Sequence, residues 1–262
     1  TLSASRQRLA GASVGNYALF AGGVSSANRN TVDAYNTSLT RSTPTTLSAS
    51  RQRLAGASVG NYALFAGGEA GTYLDTVNAY NTSLTRSTLT PLILARSDLA
   101  GATVGNYVLF AGGYDGFSLN AVDAYDTSLT CSTPTTLSVA RRNLAGASIG
   151  DFALFAGGSG SSPTYKDTVD AYNASLTRST PAALSRSRSD LAGASVGNYA
   201  LFAGGYSSSD GYDDYWETVD VYAPFVPMAK LYMPIGTKYK FGESEETATT
   251  NEITVPVPLT GY

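Results

Sequence analysis

The chain contains no histidine and a single cysteine, Cys131. Without an imidazole there is no Ser-His-Asp triad, no histidine general base and no histidine-ligated metal. One cysteine excludes an intrachain disulfide and a cysteine-based zinc site. Charge is scarce as well: 14% of the 262 residues are charged and the net charge is -3, where an ordinary domain carries about a quarter. That balance gives no strong pull toward nucleic acid. Lysine occurs only at Lys166, Lys230, Lys238 and Lys240, so no polybasic run addresses an anionic membrane. No apolar run reaches membrane-span length, so membrane insertion is not expected, and no signal-peptide pattern appears. The chain opens at Thr1 without a methionine, which reads as a processed product or a fragment. A sustained 3.6-residue hydrophobic period is missing, so helices are not expected. Nothing in the composition names a compartment.

What the chain does have is repetition. Leu-Ala-Gly-Ala-(Ser/Thr)-(Val/Ile)-Gly begins at Leu9, Leu54, Leu99, Leu144 and Leu191, at spacings of 45, 45, 45 and 47. A fixed period of this size marks a repeat architecture. Each copy divides into four candidate strands. Leu9 to Gly15 is small and apolar, which suits a place where backbones crowd. Gly15-Asn16 is a hairpin signal. Tyr17 to Ala21 is apolar on both faces and is expected to be buried on both sides. After Gly22-Gly23 and a variable segment, Thr31 to Tyr35 alternates as a third strand. Asn36-Thr37-Ser38 is turn chemistry, in which the Asn side chain can bond the backbone two residues on. Arg41 to Leu47 carries Pro44, which lacks an N–H and predicts an edge strand. Four short antiparallel strands per repeat make a propeller blade.

The Gly-Gly pairs and the following tyrosines (Gly22-Gly23 with Tyr35, Gly67-Gly68 with Tyr80, Gly112-Gly113 with Tyr125, Gly157-Gly158 with Tyr172, Gly204-Gly205 with Tyr222) resemble the kelch repeat. So do the arginines ahead of each first strand, Arg6, Arg51, Arg96, Arg141 and Arg188. The resemblance covers residues 1–222. It implies an all-β, kelch-like propeller of five four-stranded blades, or of six with a partial blade from the tail. It departs from the family where a tryptophan is usual and Ser42, Ser87, Ser132 and Ser179 stand instead. The constant arginines are expected to tie the carbonyls of neighbouring blades. Residues 223–262 are expected to close the ring or mediate assembly, with a hairpin turning at Gly236-Thr237 and an acidic turn at 242–246. A segment after Pro227 is expected to supply the fifth blade's outer strand.

Function is expected where the repeats differ. The loops between second and third strands, 24–30, 69–75, 114–120, 159–167 and 206–217, lengthen along the chain. The last holds Tyr212, Asp213, Tyr215 and Trp216, a recognition composition of aromatic and small polar residues. At the channel mouth one position reads Arg8, Arg53, Asp98, Asn143 and Asp190. By resemblance this rim contacts the ligand. Tyr212, Asp213, Tyr215, Trp216, Arg8, Arg53, Asp98 and Asn143 are therefore the candidate binding residues. The acidic residues Asp210, Asp213, Asp214 and Glu217 fit no calcium-loop spacing, and no cofactor is expected. The expectation is a non-catalytic module for a protein or glycan. The alternatives are a carbohydrate mutarotase or isomerase in the channel mouth, which needs a carboxylate converging with an arginine, or a structural component of a surface or virion fibre.

Overall fold

The structure, a computed structural model, describes residues 1–209, 212–223, 228–232, 238–241, 244–247 and 252–256. The chain divides into two compact units, Thr1–Ala223 and Pro224–Tyr262. The first is an all-β propeller of five small antiparallel blades, with no helix among the described residues.

The first blade consists of β1 (Ala10–Val14), β2 (Tyr17–Ala21), β3 (Val32–Tyr35) and β4 (Arg41–Ser42). The second contains β5 (Ala55–Val59), β6 (Tyr62–Ala66), β7 (Val77–Asn81) and β8 (Arg86–Thr88). The third contains β9 (Ala100–Val104), β10 (Tyr107–Ala111), β11 (Val122–Asp126) and β12 (Cys131–Ser132). The fourth contains β13 (Ala145–Ile149), β14 (Phe152–Ala156), β15 (Val169–Asn173) and β16 (Arg178–Ser179). The fifth pairs β17 (Ala192–Val196), β18 (Tyr199–Ala203) and β21 (Val219–Tyr222). Its loop between the second and third strands is itself a hairpin, β19 (Tyr206–Ser209) with β20 (Tyr212–Tyr215). Within this unit β21 is the last strand of its sheet.

The fourth strands are shorter than the expected 41–47 stretch, and proline is the reason. Where Pro44, Pro134 and Pro181 stand two residues past the paired segment, pairing covers two residues; in the second blade Leu89 takes that place. There the strand runs to Thr88 and the Leu89 amide donates to the Val77 carbonyl at 2.9 Å, a bond proline cannot make. The turn before it behaves as its sequence suggests. Asn36 Oδ1 accepts from the amides of Ser38 and Thr40 at 3.0 and 2.9 Å, and Asn81, Asp126 and Asn173 repeat the pattern.

The core lies between blades rather than within them. Val14, Leu19, Ala21, Val32 and Ala34 of the first blade cluster with Ala63, Phe65 and Tyr80 of the second. The same front-to-rear contact joins second to third, third to fourth and fourth to fifth blades. Fully burying one such large side chain is worth about 1.5–3 kcal/mol. Each rear-face Phe meets its own blade's Tyr edge-on, as in Phe65–Tyr80 at 6.0 Å. The inner strands approach so closely that a Cβ on Gly56 would lie 2.5 Å from the Gly11 carbonyl oxygen. Small residues at the axis are thus a steric demand of the ring.

In the second unit β22 (Met228–Tyr232) pairs with β25 (Glu252–Pro256), and β23 (Lys238–Phe241) with β24 (Ser244–Thr247). Among the described residues β22 and β23 thus belong to separate two-stranded sheets; the expected hairpin turn at Gly236-Thr237 lies outside the described residues. The expected acidic turn at 242–246 instead contains the start of β24, whose backbone register sets Ser244 opposite Phe241 and Glu245 opposite Lys240. The expected roles of this segment in ring closure, and of residues beyond Pro227 as an outer strand, fall largely on residues outside the described set.

Candidate functional site

The residue just before each inner strand turns the chain from the loop face into the channel. Arg8, Arg53, Asp98, Asn143 and Asp190 do this at φ of 57°, 55°, 54°, 53° and 54°. This is the left-handed region, tolerable for Asn and Asp and costing about 1–2 kcal/mol for a residue such as Arg. A ladder of backbone bonds holds the conformation. The amides of Arg53, Asp98, Asn143 and Asp190 each donate at 3.0 Å to the carbonyl of the corresponding residue one blade back. Five side chains are thereby delivered to one place.

That place is a cavity of about 480 Å³, lined by Arg8, Arg53, Asp98, Arg142, Asn143, Ser159, Asp190 and Tyr206. Its polar groups are linked laterally. Arg53 Nη1 lies 3.5 Å from Asp98 Oδ2 and 3.5 Å from Glu69 Oε1. Asn143 Nδ2 donates to Asp190 Oδ1 at 2.7 Å. Arg8 Nη1 donates to Gln52 Oε1 at 3.3 Å. Ser97 and Ser189 hydroxyls donate to Asp98 and Asp190 at 2.9 and 3.0 Å, which orients both carboxylates. One side of the mouth is basic and the other acidic. Aromatic residues border it: the Arg142 guanidinium stacks over the Tyr114 ring at 4.1 Å, and Tyr206 packs on Tyr165 and Tyr215.

Of the candidate residues, Arg8, Arg53, Asp98 and Asn143 meet in this cavity. Tyr215 stands 79% exposed at the end of the long hairpin. Trp216 is half-buried, its Nε1 donating to Ser207 Oγ at 3.1 Å and its ring facing the Arg186 guanidinium at 5.0 Å. Tyr212 and Asp213 contribute backbone to β20; their side chains lie outside the described set. Asp190, Arg142, Ser159 and Tyr206 also line the cavity without having been singled out as binding residues. Asp190 was legible as the fifth copy of the mouth position. The others enter only because Gln7, Gln52, Ser97, Arg142 and Ser189 bridge to the loop opposite them.

The constant arginines require a correction. Their guanidinium groups do not reach the neighbouring blade. Each donates to its own blade: Arg96 Nη2 to the Phe110 carbonyl at 3.1 Å and to Asp123 Oδ2 at 2.7 Å, both fully buried. Arg6–Asp33, Arg141–Asp170 and Arg188–Asp220 repeat the pair. The aspartate also anchors the incoming segment, as Ser3 does on Asp33. Burial acts to raise the Asp33 value, but hydrogen bonds from Arg6 and Ser3 outweigh it and hold the carboxyl below its ordinary range. What ties the neighbouring blade is the arginine's backbone carbonyl, which accepts from Gly23, Gly68, Gly113 or Gly158 at 2.8–2.9 Å. Cys131 faces Tyr125 across the strand pair, and burial pushes its thiol value up, away from nucleophilic use.

No protein-family model matches the chain, and no curated protein matches it either.

Proposed function

We propose that the chain is a kelch-like, non-catalytic recognition module that binds a protein or glycan at the channel mouth and the loops around it. The carrying observation is the convergence of five left-handed rim residues, Arg8, Arg53, Asp98, Asn143 and Asp190, on one polar cavity. Left-handed non-glycine residues cluster where a surface is held for use. The cavity offers fixed donors on one side and fixed acceptors on the other, and Tyr206 and Tyr215 add flat apolar area. Sugar hydroxyls or a polar peptide loop match that chemistry. The low net charge favours such a partner over nucleic acid. Binding of the protein to glycan and protein arrays tests the reading. The expected result is a ligand lost on Asp98→Asn with Arg53→Asn at an undiminished melting temperature. A ligand indifferent to these changes and to Tyr206→Ala overturns it.

One observation supports a second reading. Arg53 and Asp98 form the arginine–carboxylate pair that a sugar mutarotase or isomerase in the mouth would need. Anomeric exchange of reducing sugars followed by NMR, abolished by Asp98→Asn, would favour this enzyme over the binding module.

A further inference from the structure

The four blade-to-blade junctions are copies of one another, and among the described residues none of their bonds recurs between the fifth blade and the first. At each internal junction a rim amide donates one blade back, a Gly-Gly amide donates to the next arginine's carbonyl, and the glycine at the second position of the inner strand (Gly56, Gly101, Gly146 or Gly193) sits against the previous blade. Among the described residues, no bond of these kinds joins Asp190 or Gly205 to Arg6 or Arg8. Gly11 meets only Phe20 and Leu19 of its own blade.

Burial follows the same break. Val14, Val59, Val104 and Ile149 are buried front-face residues, yet Val196 in the same position is 63% exposed. Val219 and Val221 are exposed where Val77 and Ala79 are buried. On the rear side, Leu84, Leu129 and Leu176 pack on the preceding blade, whereas Leu39 is 81% exposed. Leu39 holds φ 57°, an unfavourable conformation for leucine whose equivalents are all compensated by packing. Phe20 is exposed where Phe65, Phe110, Phe155 and Phe202 are fully buried.

We infer that the front face of the fifth blade and the rear face of the first are the two halves of a blade-docking interface, and that their occupant is one further antiparallel blade of this same repeat. The occupant's chemistry is stated by the internal junctions. It carries a rear face of Val108-Phe110-Tyr125-Leu129 type for Val196, Val219 and Val221, and a front face of Val104-Leu109-Val122 type for Phe20, Tyr35 and Leu39. This goes beyond ligand recognition at the mouth, since it concerns the seam in the ring wall.

The first test mixes the protein with a polypeptide of residues 91–135, the third repeat. Saturable one-to-one binding with a melting temperature raised by at least about 5 °C, both lost in the Val196→Asp/Val221→Asp variant, is the expected result. These positions are exposed, so the variant keeps the parent fold. No binding, or binding that ignores the two substitutions, overturns the inference. If the protein alone self-associates in sedimentation, and the same variant abolishes it, the occupant is a second copy and the single-blade inference fails. Because an isolated repeat can aggregate, a second measurement fuses residues 91–135 directly ahead of Thr1, so that Thr1-Leu2-Ser3 follows Thr135 as the equivalent Thr136-Leu137-Ser138 does. Leu39→Ala should leave the melting temperature of the parent unchanged and lower that of the fused chain; equal effects in both overturn the inference.

Discussion

Arg51 donates to Asn78 Oδ1 at 3.1 Å, in the one blade where the buried arginine meets an amide instead of an aspartate. Burial, with no facing carboxylate to offset it, lowers the Arg51 value from 12.5 to about 10. Its Nε and Nη1 have no partner. A buried charge without an opposite charge is costly. Asn78→Asp should therefore stabilise the protein by about 1–2 kcal/mol, net of the bond Asn78 Nδ2 donates to Thr88. Denaturant titration checks the sign, and a loss of stability would show that the amide is the better partner.

Two glycines of identical sequence context should respond differently to alanine. A Cβ on Gly56 meets the Gly11 carbonyl oxygen at 2.5 Å, whereas the nearest atom to a Cβ on Gly11 is Phe20 Cε1 at an ordinary 3.7 Å. Gly56→Ala is expected to cost about 1–3 kcal/mol through overpacking, and Gly11→Ala well under that. Paired thermal melts decide the point.

Alkaline stability should depend on buried tyrosines. Burial raises Tyr80, Tyr125 and Tyr172 far above their ordinary 10.0, and Tyr222 to about 12. The unfolded chain ionises these groups near pH 10 while the folded chain keeps them neutral. Stability is thus intact below pH 10 and lost as pH rises through and above it. Arg51 acts in the opposite sense above its folded value of about 10, but the tyrosines outnumber it. Tyr125→Phe should flatten the alkaline limb of melting temperature against pH, at the expense of the bond its hydroxyl donates to Thr90.

At the mouth, stability and binding should separate. Arg53 occupies a conformation that asparagine already fills at position 143. Arg53→Asn relieves strain and removes only partly exposed ion pairs worth little, so its effect on stability should be neutral or favourable by up to about 1 kcal/mol. Its effect on ligand binding should be a loss of tenfold or more. Tyr215→Ala should behave likewise. A large stability loss in either variant would place these residues in the scaffold.

The repeat made much of this legible. Gly15-Asn16 and Asn36 act on the backbone within a few residues, so their consequences could be read locally: a tight turn and a side-chain-capped turn. Pro44 predicts an edge strand over 41–47, whereas pairing stops at Ser42. The second-strand run Tyr-Ala-Leu-Phe-Ala has apolar side chains on both faces, and burial on both sides follows in blades two to four. In the first and fifth blades the same letters are partly exposed. The Arg96–Asp123 pair spans 27 residues, and its constancy pointed to structure without naming the partner. The rim residues were visible as a variable position, but not the left-handed backbone that aims them.

By itself the sequence determined the blade: its first three strands, its turns and the small residues of the inner strand follow from short-range backbone chemistry repeated along the chain. Only the tertiary structure decided which faces are covered and which side chains share a cavity. Identical repeats carry identical local instructions, and a blade's neighbours depend on its place in the ring. That is why Leu39 and Leu84, alike in sequence and backbone, differ in what they touch.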